Sequence, residues 1–379
     1  MDARIQIDRF AVKNFRSIRE CDVELAALTF FIGANGSGKT SFVDAIQFVA
    51  SALRDSPQKA IASRDGIHSI LRQPVIFPTI SQFDFYLSSA TGFKCEFHLE
   101  LRIVDGWSVS IAREECRIVD ETGVHHNYLV ENGKVTGSAF VFPAVSVDRI
   151  FLANASGLPE YRLVFDFITG ISATEPTMPA LYQLVEILGT GRDETGLAAR
   201  IRSLKKNHPD RLEIIQQYLR AIAPFFDQLE VVELNNNLSL RFMEKTQSGS
   251  LRPFHISQTS AGLVNSTEIL LGLFEPPQAG RPASPIIIEE PEALLHPGAI
   301  QVIRDSFIEV SRIRQVLVTT HSPELLDDHS IPAEWIRAVH RDEDGTHIDV
   351  LDSATKSIIR DRLYTAGELL RQGGLLSGR

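Results

Sequence analysis

The chain has 379 residues, a formal net charge of −10 and 44% hydrophobic residues, which is enough apolar material for one large core or two smaller ones. The acidic balance argues against a protein that covers nucleic acid with its whole surface, although it is compatible with a local basic patch. No stretch of about 18 apolar residues and no signal-peptide pattern is present. We therefore expect a folded cytoplasmic protein without a membrane-spanning segment.

The three cysteines also favour a cytoplasmic protein. Cys21, Cys95 and Cys116 lie far apart in the sequence, with no CxxC pair and no histidines at metal-ligand spacing. Such isolated cysteines are typical of reduced thiols rather than of a disulfide framework or a zinc site.

The N-terminal stretch predicts strands, a glycine-rich turn and a helix. Residues 4–12 alternate apolar and polar side chains, which is the period of a half-buried strand. The apolar run Leu28–Ile32 ends at Gly33, as a buried strand entering a turn would. After Lys39 the apolar residues recur at three and four positions, which favours a helix.

Residues 74–141 are mainly of strand type, and we expect an antiparallel β layer here. The predicted strands are Ser81–Ser88, Lys94–Ile103, Trp107–Ile118 and Tyr128–Val130. From about residue 153 to 224 the period becomes helical, with apolar stripes on either side of a helix break at His208-Pro209.

The last third returns to alternating strands and helices. Its predicted strands are Leu229–Glu233, Leu238–Phe242, Pro285–Glu289, Gln315–Thr320, Trp335–His340 and Ile348–Leu351. The sequence therefore predicts an α/β protein with a mixed sheet core, an antiparallel β layer and an inserted helical subdomain. The expected lobes are 1–152, 153–225 and 226–379.

Gly33–Thr40 matches the phosphate-loop pattern GxxxxGK[ST] completely, and it lies between a predicted buried strand and a helix. Glycines allow the backbone N–H groups to turn inward around a phosphate, and the helix N-terminus adds partial positive charge. Lys39 would contact the β- and γ-phosphates, and Thr40 would offer its hydroxyl to Mg²⁺. The residues expected to contact ATP are Gly33, Asn35, Gly36, Ser37, Gly38, Lys39, Thr40 and Ser41.

Two adjacent acids end the predicted strand Pro285–Glu289. Ligands gather at the carboxyl ends of strands in open α/β sheets, so this strand would deliver carboxylates to a Mg²⁺–phosphate site. We expect Glu289 to approach Mg²⁺ through water and Glu290 to orient or deprotonate the attacking water. Which glutamate has which role stays open, because the metal-side residue is usually the shorter aspartate.

A histidine ends the next predicted strand, Gln315–Thr320. A lone histidine is more often structural than catalytic, but His321 follows the acidic strand in the order that a γ-phosphate sensor requires. We therefore take His321 as a catalytic candidate beside Glu290.

The order of these motifs resembles the SMC/RecF group of ABC-type ATPases. Residues 4–50, with the run KNFRS ahead of GANGSGKTS, are similar to the N-terminus of that group. The blocks IIIEEPEALLHP and LVTTHSPELLD are similar to its RecF-like and OLD-type ATPases. The resemblance implies the ABC-type ATPase fold, with ATP and Mg²⁺ as cofactors. It is specific at both ends of the chain and weak between residues 55 and 250.

The resemblance also implies an ABC signature segment before the acidic strand. Ser260-Ala261-Gly262 fits the pattern, and Ser260 and Gly262 would cap the nucleotide of a partner subunit; an ordinary capped helix is the alternative. One phosphate loop and one signature per chain imply an ATP-dependent homodimer. By the same resemblance, Arg16 would contact a phosphate or the ribose, unless it is a plain surface arginine.

Two departures limit the resemblance. No long heptad coiled coil separates the halves of the site, so tethering of distant DNA segments is not expected. OLD-type nucleases carry a C-terminal nuclease domain, whereas this sequence has 58 residues after His321. We therefore do not expect a nuclease active site within it. The glutamine of the loop that links nucleotide and helical lobe has no clear position.

The basic residues of one predicted helix form a local exception to the acidic composition. Arg202, Lys205 and Lys206 share a face opposite the apolar stripe. They are candidate DNA contacts, and a solvated polar face is the alternative.

Two hypotheses on function follow. In the first, nucleotide-driven dimerisation acts on DNA or on a DNA-directed partner, in repair or in defence against phage. In the second, the protein is a slowly hydrolysing switch that holds or releases a separate effector protein, such as a nuclease. A transport ATPase is a distant third, because the KNFRS and EEPE segments do not resemble the transport cassettes.

Overall fold

Three β-sheets organise the chain in the computed structural model, which describes residues 4–104, 108–137, 146–174, 196–234 and 237–373. The strands are β1 (Ile5–Phe15), β2 (Ile18–Glu24), β3 (Leu28–Ile32), β4 (Thr79–Ser89), β5 (Lys94–Ile103), β6 (Val109–Val119), β7 (His125–Glu131), β8 (Lys134–Thr136), β9 (Ser172–Thr174), β10 (Phe226–Leu234), β11 (Asn237–Lys245), β12 (Leu251–His255), β13 (Ile286–Glu289), β14 (Val316–Thr320), β15 (Ile336–Asp342) and β16 (Gly345–Val350).

The helices are α1 (Lys39–Arg54), α2 (Pro57–Ala62), α3 (Leu152–Ala155), α4 (Pro159–Thr169), α5 (Leu197–Asn207), α6 (Pro209–Ile222), α7 (Ala261–Phe274), α8 (Pro297–Val310), α9 (Ser353–Arg360) and α10 (Ala366–Arg371). Short 3₁₀ turns lie at Ile67–Ser69, Ile256–Gln258, Pro323–Leu326 and Ala333–Trp335. Within the described ranges, no helix combines the length and the apolar character needed to cross a membrane.

The central sheet has the strand order β16-β15-β3-β14-β13-β9. Its strands pair in parallel, except that β15 and β16 form an antiparallel hairpin. Every residue of β3, β13 and β14 is buried, as expected for strands with both faces covered. The apolar, largely β-branched runs of β13 and β14 thus mark the centre of the sheet.

A seven-stranded antiparallel sheet forms the second layer, in the order β2-β1-β4-β5-β6-β7-β8. Buried and more exposed residues alternate along β5, because one face packs on the core and the other faces water. The prediction of an antiparallel layer is confirmed, although Trp107, at the start of one predicted strand, lies outside the described residues. The third sheet is β10-β11-β12.

Two hydrophobic cores lie on opposite faces of the central sheet. The first joins the antiparallel sheet to helices α1, α3 and α4, and Phe31 of β3 points into it. The second joins the other face to helices α5, α6, α7 and α8, with Phe30 pointing that way. Adjacent residues of a strand face opposite sides, so β3 contributes to both cores.

The helical stretch expected at 153–225 is divided between these cores. Helix α4 packs in the first core through Val164 and Phe167, whereas α5 and α6 pack in the second through Ile201 and Leu219. Strand β9, between them, joins the central sheet. The described helices of this stretch therefore do not form one group. The lobe boundaries at 152 and 225 stay a prediction.

The three cysteines are buried free thiols. Burial raises the pKa of the Cys21 thiol to about 12, so this side chain stays protonated and packs as a small apolar group. Within the described residues, no group of three or more His, Cys, Asp or Glu side chains has the geometry of a metal site.

Candidate nucleotide site

The site lies where the carboxyl ends of three neighbouring strands meet. Strand β14 pairs in parallel with β3 on one side and with β13 on the other. The phosphate loop follows β3, the two adjacent glutamates end β13, and His321 follows β14. Three segments that are far apart in the sequence are thus placed along one edge of the sheet, as ligand sites in open α/β sheets require.

The phosphate loop is closed from within by Lys39. Its ammonium donates to the carbonyl oxygens of Gly33, at 2.9 Å, and of Ala34, at 3.1 Å. Burial lowers the pKa of Lys39, and the charges of Glu290 and Glu292 act in the opposite direction. Within the described residues, this buried cation has hydrogen bonds to uncharged oxygens alone, a position that suits an anionic ligand. This fits the expected phosphate contact.

Two further observations on the loop fit a phosphate group. The Ser37 hydroxyl is buried and has no hydrogen-bond partner within the described residues. Gly36 and Gly38 have φ values of 78° and 105°, a region that favours glycine. Thr40, the expected Mg²⁺ ligand, is exposed, while the Ser41 hydroxyl lies 2.9 Å from the hydroxyl of Ser17.

A cavity of about 470 Å³ adjoins the loop. The segment from Ile32 to Ser37, which includes Asn35, forms one wall, and the end of β15 at Val339, His340 and Arg341 forms another. The carbonyl of Val339 leaves no room for a side chain at position 33, where a Cβ atom would lie 2.1 Å from it. The close packing of the Val339 carbonyl against Gly33 explains why the first residue of the motif is a glycine.

The two adjacent glutamates point to different surroundings. Glu289 is 6% exposed, and its Oε1 accepts a hydrogen bond of 3.2 Å from the side chain of Gln47 on α1. Glu290 has a φ of 42°, and its side chain is 38% exposed. The change of backbone conformation between them therefore accompanies a change from a buried carboxylate to a partly exposed one.

The position of His321 is fixed by the carboxylate of Glu292, a residue that the sequence analysis did not assign to the site. Oε1 of Glu292 accepts hydrogen bonds from the Thr320 hydroxyl at 2.7 Å, the His321 N–H at 2.9 Å and the Ser322 N–H at 3.2 Å. The imidazole Nδ1 lies 3.3 Å from Glu292 and 3.9 Å from Glu290. The structure thus brings both catalytic candidates, Glu290 and His321, together.

Sequence reasoning missed Glu292 and Gln47 as site residues. Glu292 belongs to the acidic block already described, two residues after Glu290, and its position in that block was the available signal. Gln47 lies eight residues after Lys39, which is two steps of four along one face of α1. This spacing was the only local sign that Gln47 faces the site.

The candidate signature residues are connected to the acidic segment. The Ser260 hydroxyl accepts the Leu263 N–H at 3.3 Å and caps α7. A Cβ atom at Gly262 would lie 2.8 Å from the Leu294 carbonyl, and the side chain of Asn265 donates to the Ala293 carbonyl at 3.0 Å. The start of α7 and the loop after β13 therefore form one packed unit.

Arg16 forms an ion pair with an acidic residue of α1, the helix that follows the phosphate loop. Its guanidinium lies 3.0 Å from Asp44, and Arg64 lies 2.8 Å from the same carboxylate. The backbone of Arg16 has a φ of 50°, and its N–H donates to the Ile70 carbonyl at 2.9 Å. Arg16 is thus a partly buried cation that pairs with an acid of α1.

The candidate DNA contacts lie on the outer face of α5. Arg202, Lys205 and Lys206 are exposed, while Leu197, Ile201 and Leu204 on the same helix are buried. Arg202 lies 4.0 Å from Glu233. Amphipathic packing therefore accounts for the orientation of this face.

Comparisons with known proteins agree with this geometry. Residues 28–327 match the family described as "AAA domain, putative AbiEii toxin, Type IV TA system". Because this match spans most of the chain, the chain belongs to that family, whose fold is that of P-loop ATPases.

Among curated relatives, the chain is 24% identical to the OLD nuclease of Thermus scotoductus over 399 aligned positions, which cover 98% of this chain and 68% of that protein. A stretch of 41 residues, 11% of the chain, is 49% identical to the DNA replication and repair protein RecF of Vibrio campbellii and covers 12% of it. The chain is therefore an SMC/RecF/OLD-like ABC-type ATPase by sequence and fold.

Two solved structures have the same fold. One is the SmcHead bound to the C-winged helix domain of ScpA, with a TM-score of 0.55 and 14% identity over 92% of this chain and 99% of that one. The other is the Smc head domain of Pyrococcus furiosus bound to the C-terminal domain of ScpA, with a TM-score of 0.52 and 16% identity over 95% of this chain and 100% of that one. The predicted fold class, an α/β protein with the ABC-type ATPase fold, is confirmed, although the helices of residues 153–225 are divided between the two cores.

Proposed function

We propose that this protein binds Mg-ATP at the phosphate loop and hydrolyses it at the interface of a nucleotide-dependent homodimer in the cytoplasm. The observation that carries the proposal is the convergence of Lys39, Glu290 and His321 at the ends of three neighbouring strands. These supply a cation for the phosphates, a carboxylate for the attacking water and an imidazole beside it.

The surroundings of the two acids support a division of roles. Glu289 is buried and receives a side-chain hydrogen bond, which suits a metal-side carboxylate whose orientation must be fixed. Glu290 is more exposed and lies near His321, which suits a base that must reach water. Thr40 and Glu289 would hold Mg²⁺, and the ion would neutralise charge on the transferred phosphoryl group.

A second copy of the chain would complete the site. Ser260 and Gly262 start a 14-residue helix, whose N-terminus is a suitable partner for an anion. They would cap the γ-phosphate of the partner subunit. In size-exclusion chromatography with ATP, the Glu290→Gln variant should elute as a dimer, and Lys39→Ala should stay monomeric. A Glu290→Gln variant that hydrolyses ATP like the wild type and never dimerises would contradict the mechanism.

The role of Arg16 can be tested separately. Its ion pair with Asp44 supports a position at the rim of the site, from which it could contact a phosphate or the ribose. Arg16→Ala should then weaken ATP binding about tenfold, a loss of the size that one charge-assisted hydrogen bond contributes. Arg360→Ala, which removes an arginine of α9 whose side chain is 75% exposed, is the matched control. Equal affinity in both variants would make Arg16 structural.

We propose that the ATPase cycle acts on DNA or on a DNA-directed partner, in repair or in phage defence. The relatives named for nuclease activity and for DNA replication and repair support this choice. The basic face of α5 is its candidate DNA contact. Lys205→Glu with Lys206→Glu should weaken duplex DNA binding and lower the salt slope by about two.

A matched control reverses two exposed lysines elsewhere, Lys94 and Lys134, with the same change in net charge. If both double variants bind DNA equally and with the same salt slope, the α5 face is only a solvated surface. The control thereby separates a local contact from the general effect of a more acidic protein.

The alternative function is a slowly hydrolysing switch that holds an effector protein. The solved SMC head structures favour this alternative, because in them a head domain binds a domain of a separate protein, ScpA. ATP turnover measured with and without duplex DNA distinguishes the two. Stimulation by DNA supports the first function, whereas slow unstimulated turnover with a co-purifying protein supports the second.

A further inference from the structure

We infer that Thr346, in the hairpin formed by β15 and β16, is a positioning residue that fixes the phosphate loop for nucleotide binding. The inference deepens the proposed function and rests on it for the identity of the ligand. Thr346 lies 309 residues away from Ser37 in the sequence, and no motif of the phosphate loop includes it.

The contact between Thr346 and the loop is close and buried. The side chain of Thr346 is 1% exposed, and its hydroxyl donates to the carbonyl oxygen of Ser37 at 3.0 Å. A Cβ atom at Gly38 would lie 1.9 Å from the Thr346 Oγ1 atom. A side chain at position 38 would therefore push the hairpin away from the loop, which adds a packing reason for glycine to its φ of 105°.

The hydrogen bond to Ser37 sets the direction of a neighbouring loop amide. A trans peptide points its C=O and its N–H in opposite directions. When Thr346 holds the Ser37 carbonyl on the hairpin side, the N–H of Gly38 must point away from the hairpin. A phosphate loop works by aiming such N–H groups at its ligand, so the hydroxyl orders a donor without touching the nucleotide.

The hairpin is itself hydrogen-bonded to the turn between β1 and β2 at Arg16 and Ser17, here called the N-terminal turn. The N–H of Thr346 donates to the Ser17 carbonyl at 3.0 Å, and the two side-chain hydroxyls lie 2.8 Å apart. Asp344, at the hairpin tip, pairs with Arg19 at 3.0 Å, and its carbonyl accepts from Arg72 at 3.0 Å. These contacts give Thr346 a fixed support, which a positioning group requires.

Thr346 also matters because Lys39 is expected to change partners. Lys39 bonds two loop carbonyls in this structure, and in the proposed complex its ammonium would turn to the phosphates. The Thr346 hydroxyl bonds a different carbonyl of the loop, that of Ser37, so Lys39 can leave its own two carbonyls without breaking this bond. It would then keep the loop in its binding conformation in both states, which lowers the ordering cost of binding.

The test compares Thr346→Val with Thr346→Ser, because valine has nearly the shape of threonine without its hydroxyl. MgADP binding, measured by calorimetry, gives a Kd without turnover. Thr346→Val should raise this Kd about tenfold, the loss expected when a buried carbonyl loses its donor. Thr346→Ser should stay within about twofold of the wild type. In ATP hydrolysis the valine variant should raise KM about tenfold and leave kcat within about threefold.

A second measurement does not depend on nucleotide binding. In the protein without nucleotide, hydrogen exchange of the amides between residues 33 and 41 should be faster in Thr346→Val than in the wild type. The control is Thr169→Val, since Thr169 is 5% exposed and its hydroxyl, among the residues that the structure describes, bonds the Phe165 carbonyl of its own helix alone, at 2.7 Å. This control should lose a comparable amount of thermal stability with unchanged loop exchange and Kd.

The outcomes separate the two proposals. If the wild type fails to bind MgADP, the proposed function is wrong, and loop exchange alone decides the role of Thr346. If the wild type binds and Thr346→Val shows unchanged Kd and unchanged loop exchange, the inference is wrong. Should Thr346→Val not fold, Thr346→Ala replaces it, with Thr346→Ser as its comparison: Kd should rise about tenfold in the alanine variant, and an unchanged Kd would equally overturn the inference.

Discussion

The backbone N–H of His321 donates a hydrogen bond of 2.9 Å to the carboxylate of Glu292. The same carboxylate oxygen accepts from the Thr320 hydroxyl and the Ser322 N–H, and the side chain of Glu292 is only 7% exposed. A single buried carboxylate from the segment after β13 therefore fixes the end of β14. In physical terms, the position of His321 depends on the acidic segment as much as on its own strand.

Replacing Glu292 should thus affect both stability and turnover. Glu292→Ala leaves three donors without their acceptor, which should lower the free energy of unfolding by about 2 kcal/mol. A displaced His321 should lower ATP turnover about 10- to 100-fold. Glu292→Gln keeps the accepting oxygen and should lose less in both respects. Urea unfolding and steady-state turnover check this, with Glu309→Ala as a control for removal of an exposed carboxylate.

The hydrogen bond between Gln47 and Glu289 makes a prediction about the metal. A donor to a metal-side carboxylate orients it, and loss of such a partner typically lowers metal affinity by about tenfold or more. Gln47→Leu should therefore raise the Mg²⁺ concentration for half-maximal ATP turnover by about tenfold. Gln58→Leu, at an exposed glutamine, should leave the Mg²⁺ curve unchanged. Overlapping curves for the two variants would remove Gln47 from the metal site.

Most of the sheet that carries the site could be predicted from local patterns. The runs that form β3, β13 and β14 are mainly apolar, and central parallel strands need that pattern because both faces are buried. The phosphate loop, the glutamates at 289 and 290 and His321 follow directly from where those runs end. A strand end and a motif are local features, and a sequence displays them directly.

The partners of these residues could not be predicted in the same way. Gln47 and Glu289 are 242 residues apart, and a single glutamine on a helix carries no sign of a distant acid. Thr346 likewise lies on an edge hairpin whose pairing to the N-terminal turn is set by tertiary packing. The two-core division of the helices depends on which face of the sheet each helix covers, and helical periodicity leaves that undecided.

Replacing Asp44 should lower stability more than replacing an exposed acid. It pairs with Arg16 and Arg64, and the side chains of Asp44 and Arg64 are 12% and 11% exposed. Asp44→Ala would leave a largely buried guanidinium unpaired, which should lower the free energy of unfolding by about 3 kcal/mol. The matched control is Asp22→Ala, which breaks the exposed pair with Arg9 and should cost less than about 1 kcal/mol. Urea titrations of the two variants measure the difference, and equal losses would contradict the prediction.

Glu114 should make stability depend on pH near neutrality. It is fully buried in the first core and accepts hydrogen bonds from the Tyr128 hydroxyl at 2.7 Å, the Phe151 N–H at 2.5 Å and the Leu152 N–H at 2.7 Å. Burial raises the pKa of this carboxyl to about 7 from its ordinary 4.5, although the three hydrogen bonds act in the opposite direction.

Because the pKa of Glu114 is higher in the folded than in the unfolded protein, the folded state holds a proton that the unfolded state has released between about pH 4.5 and 7. The free energy of unfolding should therefore fall by about 3 kcal/mol as the pH rises through this window, and change little from this group above it. Glu114→Gln cannot ionise and should lack that part of the decline, while losing stability at every pH from its changed hydrogen bonds. Urea titrations of both proteins at several pH values measure the two slopes. Since other groups titrate alike in both, parallel slopes would show that Glu114 does not change its protonation on unfolding in this range.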